Sequence, residues 1–172
     1  LDNLFDFLLE LDKLKSVYRR TYLTDNSRTE NSAEHSWHLA IALLTLKEEL
    51  KLDIDIVRTV KMALVHDICE IDAGDISVYS IDRDKKIDEE ILCINRISEY
   101  PFDFAKEIAA LWREYENLQT KESHWVKVVD RLLPFMMNFR SKGKTWLEQG
   151  ITKSQVLKIN SIIKEQAPEV FE

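Results

Sequence analysis

His66 and Asp67 stand side by side at the end of an apolar run, Ala63-Leu64-Val65, whose side chains are expected to be buried. Polar groups at such an address need partners, because a buried carboxylate without a counter-charge or hydrogen bond costs several kcal/mol. Glu70 follows Asp67 by three residues and His66 by four, so all three side chains can converge on one side of a helix end. Alone, a His-Asp pair reads equally well as a helix cap or a surface hydrogen bond. Asp130 shifts that balance. It falls among Val126, Val129, Leu133 and Met137 at helical spacing, on an apolar face, and the ring of Pro134 four residues later is expected to kink the helix there. His35 is the fourth member, one turn before Leu39 and just inside a helix start. The positive helix end disfavours imidazolium and leaves the ring a lone pair to donate.

His35, His66, Asp67 and Asp130 together make a mixed nitrogen and oxygen set with no thiolate, which argues against a closed structural zinc. The set suits a divalent ion such as Mn, Co, Fe, Ni, Zn or Mg, its identity left open, with room for water. A metal so held lowers the pKa of bound water from about 15.7 toward about 7 and polarises a phosphoryl oxygen, which is hydrolytic chemistry. Other notable residues receive plainer readings. His38, about 60° round the helix from His35, is expected to be a core histidine bonded to a backbone carbonyl. Arg20 and Arg28 could pair with Asp25 or Glu30, Glu34 reads as a capping carboxylate, and Lys85 and Lys86 read as a solvated loop. Trp112, Trp125 and Trp146 are expected in the core or a dimer interface.

Helices must position these groups. Leu4, Leu8, Leu11 and Leu14 or Tyr18 mark one face of a first helix, followed by a polar connection over residues 21–31. Asn31 and Glu34 have capping-box spacing, and Leu39, Leu43, Leu46 and Leu50 carry a stripe through a second helix over residues 32–51. Ile54, Val57, Val60, Leu64 and Ile68 predict a third, terminated by Gly74. A charged loop over 75–86 precedes helices at 87–97, 104–115, 123–140 and 154–165, with a break at Tyr100-Pro101.

Three glycines and three prolines in 172 residues are too few turn signals for a sandwich or barrel, and 45% hydrophobic residues suffice for one core. The expectation is one all-α, compact multi-helix bundle over residues 1–172. A net charge of −7 disfavours nucleic-acid polymers and anionic membranes, while a small phosphorylated substrate remains compatible through local cations. Cys69 and Cys93 show no metal-ribbon spacing and read as reduced thiols of a cytoplasmic protein, a single disulfide remaining open. No apolar run approaches the roughly 18 residues of a membrane span. Because the chain opens on leucine, a few natural N-terminal residues are expected to precede it.

The order His35, His66-Asp67, Asp130 resembles the H…HD…D signature of the HD superfamily of phosphohydrolases. The stretches RRTYLTDNSRTENSAEHS and ALVHDICEIDAGDIS, with VKVVDRL around Asp130, resemble its 5′-deoxynucleotidase branch and related HD-domain proteins. That resemblance implies metal-dependent release of phosphate from a nucleoside or deoxynucleoside 5′-monophosphate by a homodimer. It also implies that Glu70, with Asp67, handles the attacking water, that Asp75 lies near sugar and phosphate, and that Arg20, fifteen residues before His35, contacts phosphate. Thr21 and Ala73 depart from the branch, standing where deoxy-specific enzymes carry a tryptophan and a threonine, so sugar selectivity is expected to be relaxed. Two alternatives stay open: another HD phosphohydrolase acting on an alarmone, cyclic dinucleotide or nucleoside triphosphate, and a non-catalytic, metal-stabilised helical binding module. Retention of Glu70 and Asp75 favours an enzyme.

Overall fold

The computed structural model describes residues 1–80 and 83–168, apart from the side chains of residues 83–85. Helix α1 (Asp2–Asp12) runs into a 3-10 turn (Lys13–Ser16) and a hairpin of β1 (Tyr18–Tyr22) and β2 (Thr29–Asn31). Then come α2 (Ser32–Glu49), α3 (Ile56–Val65), α4 (Glu70–Ala73), α5 (Arg83–Ser98) and α6 (Asp103–Glu116). The chain continues through α7 (Lys121–Arg140), α8 (Lys144–Glu148), α9 (Lys153–Ile159) and α10 (Ser161–Gln166). The expected all-α bundle is the observed architecture, with one two-stranded sheet added to it.

Helix α2 begins where its capping box requires: the Asn31 side chain accepts from the Glu34 amide, and Glu34 accepts from the Asn31 amide. Its inward face sends Leu39 and Leu43 into a core shared with Met62 and Ala63 of α3, Ile94 and Ile97 of α5, Ile108 and Leu111 of α6, and Val126 and Val129 of α7. Complete burial of a leucine or isoleucine contributes about 1.5–3 kcal/mol, so the helices bearing the polar residues of interest are clamped by their neighbours on the same helices.

Several elements depart from the sequence reading. Leu4 and Leu8 are solvent-exposed, and α1 is anchored instead by Phe7, whose ring lies 5.0 Å from Tyr100 and 5.5 Å from Phe102. Both faces of α1 are apolar, so periodicity alone could not select between them. The polar connection contains an antiparallel hairpin, closed by Leu23 donating to Arg28 and by Asn26 at φ 61°. The third helix stops at Val65, and the chain turns through residues 66–69 before α4 ends on Gly74 at φ 71°, a conformation glycine adopts without strain. Helix α8 was not expected, and the last expected helix breaks at Asn160 into α9 and α10. Among the described residues, no helix is long and apolar enough to cross a membrane, and Cys69 and Cys93 are free and buried.

Candidate metal and hydrolytic site

His35 sits one turn inside capped α2, His66 at the C-terminal end of α3, and Asp130 midway along α7, where Pro134 cannot donate to the Asp130 carbonyl. Packing of these three helices brings together ligand atoms of all three residues within 4.8 Å of one another, and all three residues are buried. The Asp130 Oδ1 lies 3.0 Å from His35 Nε2 and 3.7 Å from His66 Nε2. Asp67 stands beside this trio, its Oδ1 3.1 Å from His66 Nε2 and its Oδ2 accepting from Arg19 Nη1 at 2.6 Å.

The imidazoles are oriented for donation. His66 Nδ1 lies 2.8 Å from the Ala63 carbonyl and donates its proton there, so Nε2 is the ring atom left to meet a metal, which would take the place of a proton on it. That Nε2 is buried without a hydrogen-bond partner and faces two carboxylates. Burial opposes charge on this ring, yet Asp67 and Asp130 outweigh it and push the imidazole pKa up to about 10. The field at this point calls for a positive charge. A divalent cation among His35, His66, Asp130 and Asp67 would answer it with the ligand types such ions take. His35 Nδ1 faces Glu30 Oε1 at 3.4 Å, which turns its Nε2 toward the cluster.

Glu70 lies at the start of α4, 3% exposed, with Oε2 accepting from Ser32 Oγ at 2.6 Å and Oε1 from Lys86 Nζ at 2.9 Å. Burial, reinforced by Asp67, raises its pKa to about 7 against the pull of Arg19 and Lys86. Asp75, turned inward after Gly74, lies 4.0 Å from Arg19, and burial raises its pKa too. Arg20 is exposed on the outer face of β1 and lines the rim of the adjoining cavities with Asp75.

Residues 11–171 match the HD domain family. The chain belongs to it. It is 34% identical over 133 residues to a 5′-deoxynucleotidase HDDC2 of Bos taurus, a match covering 75% of this chain and 63% of that protein. It is 33% identical over 132 residues to a 5′-deoxynucleotidase of Saccharomyces cerevisiae, covering 73% of this chain and 54% of that one. The chain thus spans less than two-thirds of the length of these curated relatives. The crystal structure of a predicted metal-dependent phosphohydrolase from Magnetospirillum magnetotacticum MS-1 superposes with a TM-score of 0.86 at 40% identity, over 95% of this chain and 83% of that one.

Several groups of this HD domain site were not singled out in the sequence. Arg19, rather than Arg20, touches the acids: besides Asp67 it reaches Glu30 at 3.3 Å. Tyr115 Oη donates to Asp130 Oδ2 at 2.9 Å and receives from Lys127 Nζ at 2.8 Å; burial and the Asp130 charge keep the phenol protonated. Lys86 is not a solvated loop residue but is largely buried between Glu70 and Glu90; the Lys85 side chain lies outside the described residues. Arg28 pairs with Glu34, not with Asp25 or Glu30. His38 is half-buried beside Trp37 instead of in the core. Trp112 and Trp125 pack in the core as expected, whereas Trp146 lines a cavity next to the site.

Proposed function

We propose that this protein is a metal-dependent phosphomonoesterase that releases phosphate from nucleoside 5′-monophosphates. The observation that carries the reading is the buried His66 Nε2, aimed between Asp67 and Asp130, in a cavity that Glu70 also lines. The 5′-deoxynucleotidase names of the relatives supply the nucleotide substrate class. His35, His66, Asp67 and Asp130 would hold a divalent ion, which supplies Lewis acidity toward the phosphoryl group and the attacking water.

The chain's own residues do the rest. Glu70, fixed by Ser32 and Lys86, takes a proton from the attacking water, and a base with a pKa near the working pH suits that task. Asp67 orients the same water. Arg20 and Asp75 at the cavity rim bind the phosphate and sugar ends of the substrate. Lys127 and Arg131, which line the cavity with His66 and Glu70, supply positive charge to the phosphoryl oxygens in an in-line displacement. The nucleoside leaves as an alcohol.

The protein acts in the cytoplasm as a homodimer in this reading, and the exposed Leu4, Phe5, Leu8 and Leu9 of α1 offer apolar surface for self-association, testable by sedimentation. The function itself is tested by phosphate release from a panel of nucleotides, with Mn, Co, Mg, Ni or Zn added to metal-stripped protein. Release that requires a metal and a nucleoside 5′-monophosphate is the expected result. Release only from alarmones, cyclic dinucleotides or nucleoside triphosphates would overturn the substrate assignment, and no release from any would overturn the enzyme.

A further inference from the structure

Asp67 and Asp130 each face His66 Nε2 with one oxygen, Oδ1, at 3.1 Å and 3.7 Å respectively. The second oxygen of each is already taken. Arg19 of β1 holds Asp67 Oδ2 at 2.6 Å, and Tyr115, in the last turn of α6, holds Asp130 Oδ2 at 2.9 Å. We infer that Tyr115 is a positioning residue that limits Asp130 to one metal-facing oxygen, so that the site selects a compact first-row ion such as Co over calcium. The inference rests on the metal-site reading and adds the residue that sets which ion is preferred.

Tyr115 is itself firmly held. It is 3% exposed, its ring stands edge-on to the His66 ring with centroids 5.2 Å apart and planes at 74°, and Lys127 Nζ lies 4.1 Å from its ring centroid. In a close-packed interior the phenol cannot swing away without disturbing that imidazole. Lys127 Nζ also donates to Tyr115 Oη at 2.8 Å, and the phenol passes its own hydrogen to Asp130, which as a carboxylate can only accept. Bonds in such a chain polarise one another, which strengthens the hold on Oδ2. A buried tyrosine hydroxyl needs some partner, and a backbone carbonyl would have met that need. Here the partner is the far oxygen of a ligand, and the arrangement repeats, from another element, what Arg19 does to Asp67.

The consequence is a donor set of two imidazole nitrogens and two single carboxylate oxygens, from His35, His66, Asp67 and Asp130. Calcium takes about six to eight oxygens and readily accepts both oxygens of one carboxylate. Imidazole nitrogen suits the later first-row ions, and few single donors suit their smaller coordination number. Freeing Asp130 Oδ2 lets the carboxylate turn both oxygens inward, a change that helps calcium most. Groups that orient metal ligands typically contribute about 10- to 100-fold to affinity.

The test titrates Co into metal-stripped native protein and into Tyr115→Phe, which keeps the ring and removes only the hydroxyl, and then displaces the bound Co with calcium. Calorimetry should show the Co Kd rising by about 10- to 100-fold in the variant, and the calcium needed to displace half of the Co should fall by at least about tenfold. An unchanged Co Kd, or calcium that displaces Co no more readily from the variant than from native protein, would overturn the inference and leave the metal site standing. A merely structural tyrosine would lower the urea midpoint of the metal-free protein and leave that selectivity alone. Native protein that binds neither ion would overturn the metal-site reading and this inference with it. Should Tyr115→Phe fail to fold, native crystals soaked in Co decide. Asp130 bound through Oδ1 alone, with Oδ2 still on Tyr115, supports the inference, and both oxygens on the ion overturn it.

Discussion

Replacing Lys86 with methionine offers a sharp test of Glu70 as the base, because the change should move a pH limb rather than abolish activity. Burial and Asp67 raise the Glu70 pKa to about 7 before any cation is bound, so that value sets the limb at its highest, with kcat/KM of the native enzyme rising with unit slope up to about pH 7 as the carboxylate ionises. Lys86 Nζ lies 2.9 Å from Glu70 Oε1, and both side chains are largely removed from water, 13% and 4% exposed. A hydrogen bond to a charged group contributes about 1.5–3 kcal/mol, and one pH unit corresponds to about 1.36 kcal/mol, so losing it should raise the Glu70 pKa by roughly one to two units. Unpaired Glu90, 3.2 Å from Lys86 in the native protein, pushes the same way. At pH 7 the ionised fraction would fall from about one half to roughly 1–10%, a loss of about 5- to 50-fold that vanishes near pH 10. Glu70→Gln should instead abolish the limb and lower turnover by about 10² to 10⁴ at every pH. Initial rates of phosphate release in matched-ionic-strength buffers read both. A Lys86→Met limb at unchanged or lower pH, or a Glu70→Gln variant with native turnover, would refute the assignment.

The remaining predictions concern metal, charge, capping and sugar. A divalent ion at about 100 times its Kd should stabilise the fold by about 2.7 kcal/mol, seen as a Tm rise that EDTA reverses and that is lost in His66→Ala and Asp67→Ala; an unchanged Tm would contradict the site. Arg19→Met leaves Asp67 and Glu30 without their buried counter-charge and should cost about 3–5 kcal/mol in urea unfolding. Asn31→Ala removes the cap that starts α2 just before His35 and should cost about 1 kcal/mol in the same assay. With the small Thr21 rather than a bulky side chain lining the cavity beside the site, kcat/KM for AMP and dAMP should differ by no more than about a hundredfold; a deoxy preference above about 1,000-fold would show another residue acting as the block.

The convergence of His35, His66 and Asp130 was legible because each carries a helical signature of its own. His35 follows a capping box, His66 closes an apolar run, and Asp130 interrupts an apolar stripe. Helical period places such residues inward without knowledge of the fold. Arg19 was not legible for an equally local reason. Adjacent residues on a strand point to opposite faces, so which of Arg19 and Arg20 reaches the acids depends on the hairpin's pleat. A segment read as a polar connection has no pleat. Trp146 escaped for a different reason: it lies on five-residue α8, too short for periodicity to define a face.

Arg19 also explains how Asp67 can serve two partners without neutralising either. One carboxylate oxygen is held by the guanidinium at 2.6 Å, and the other remains 3.1 Å from His66 Nε2, on the side of the three converging ligands. Burial would raise the Asp67 pKa, but His66 and Arg19 hold it well below the ordinary carboxylate range, so the free oxygen keeps its negative charge at any physiological pH. The guanidinium is itself kept charged against burial by Asp67, Asp75 and Glu70. Because the fork is planar and cannot lose its proton, it fixes the aspartate's rotation as well as its charge. A lysine at position 19 would supply the charge but not the fork linking Asp67 to Glu30, which in turn faces His35 Nδ1. One side chain on a two-stranded sheet thereby sets the orientation of groups on α2 and at the end of α3, which is why a short hairpin belongs to the working part of a helical fold.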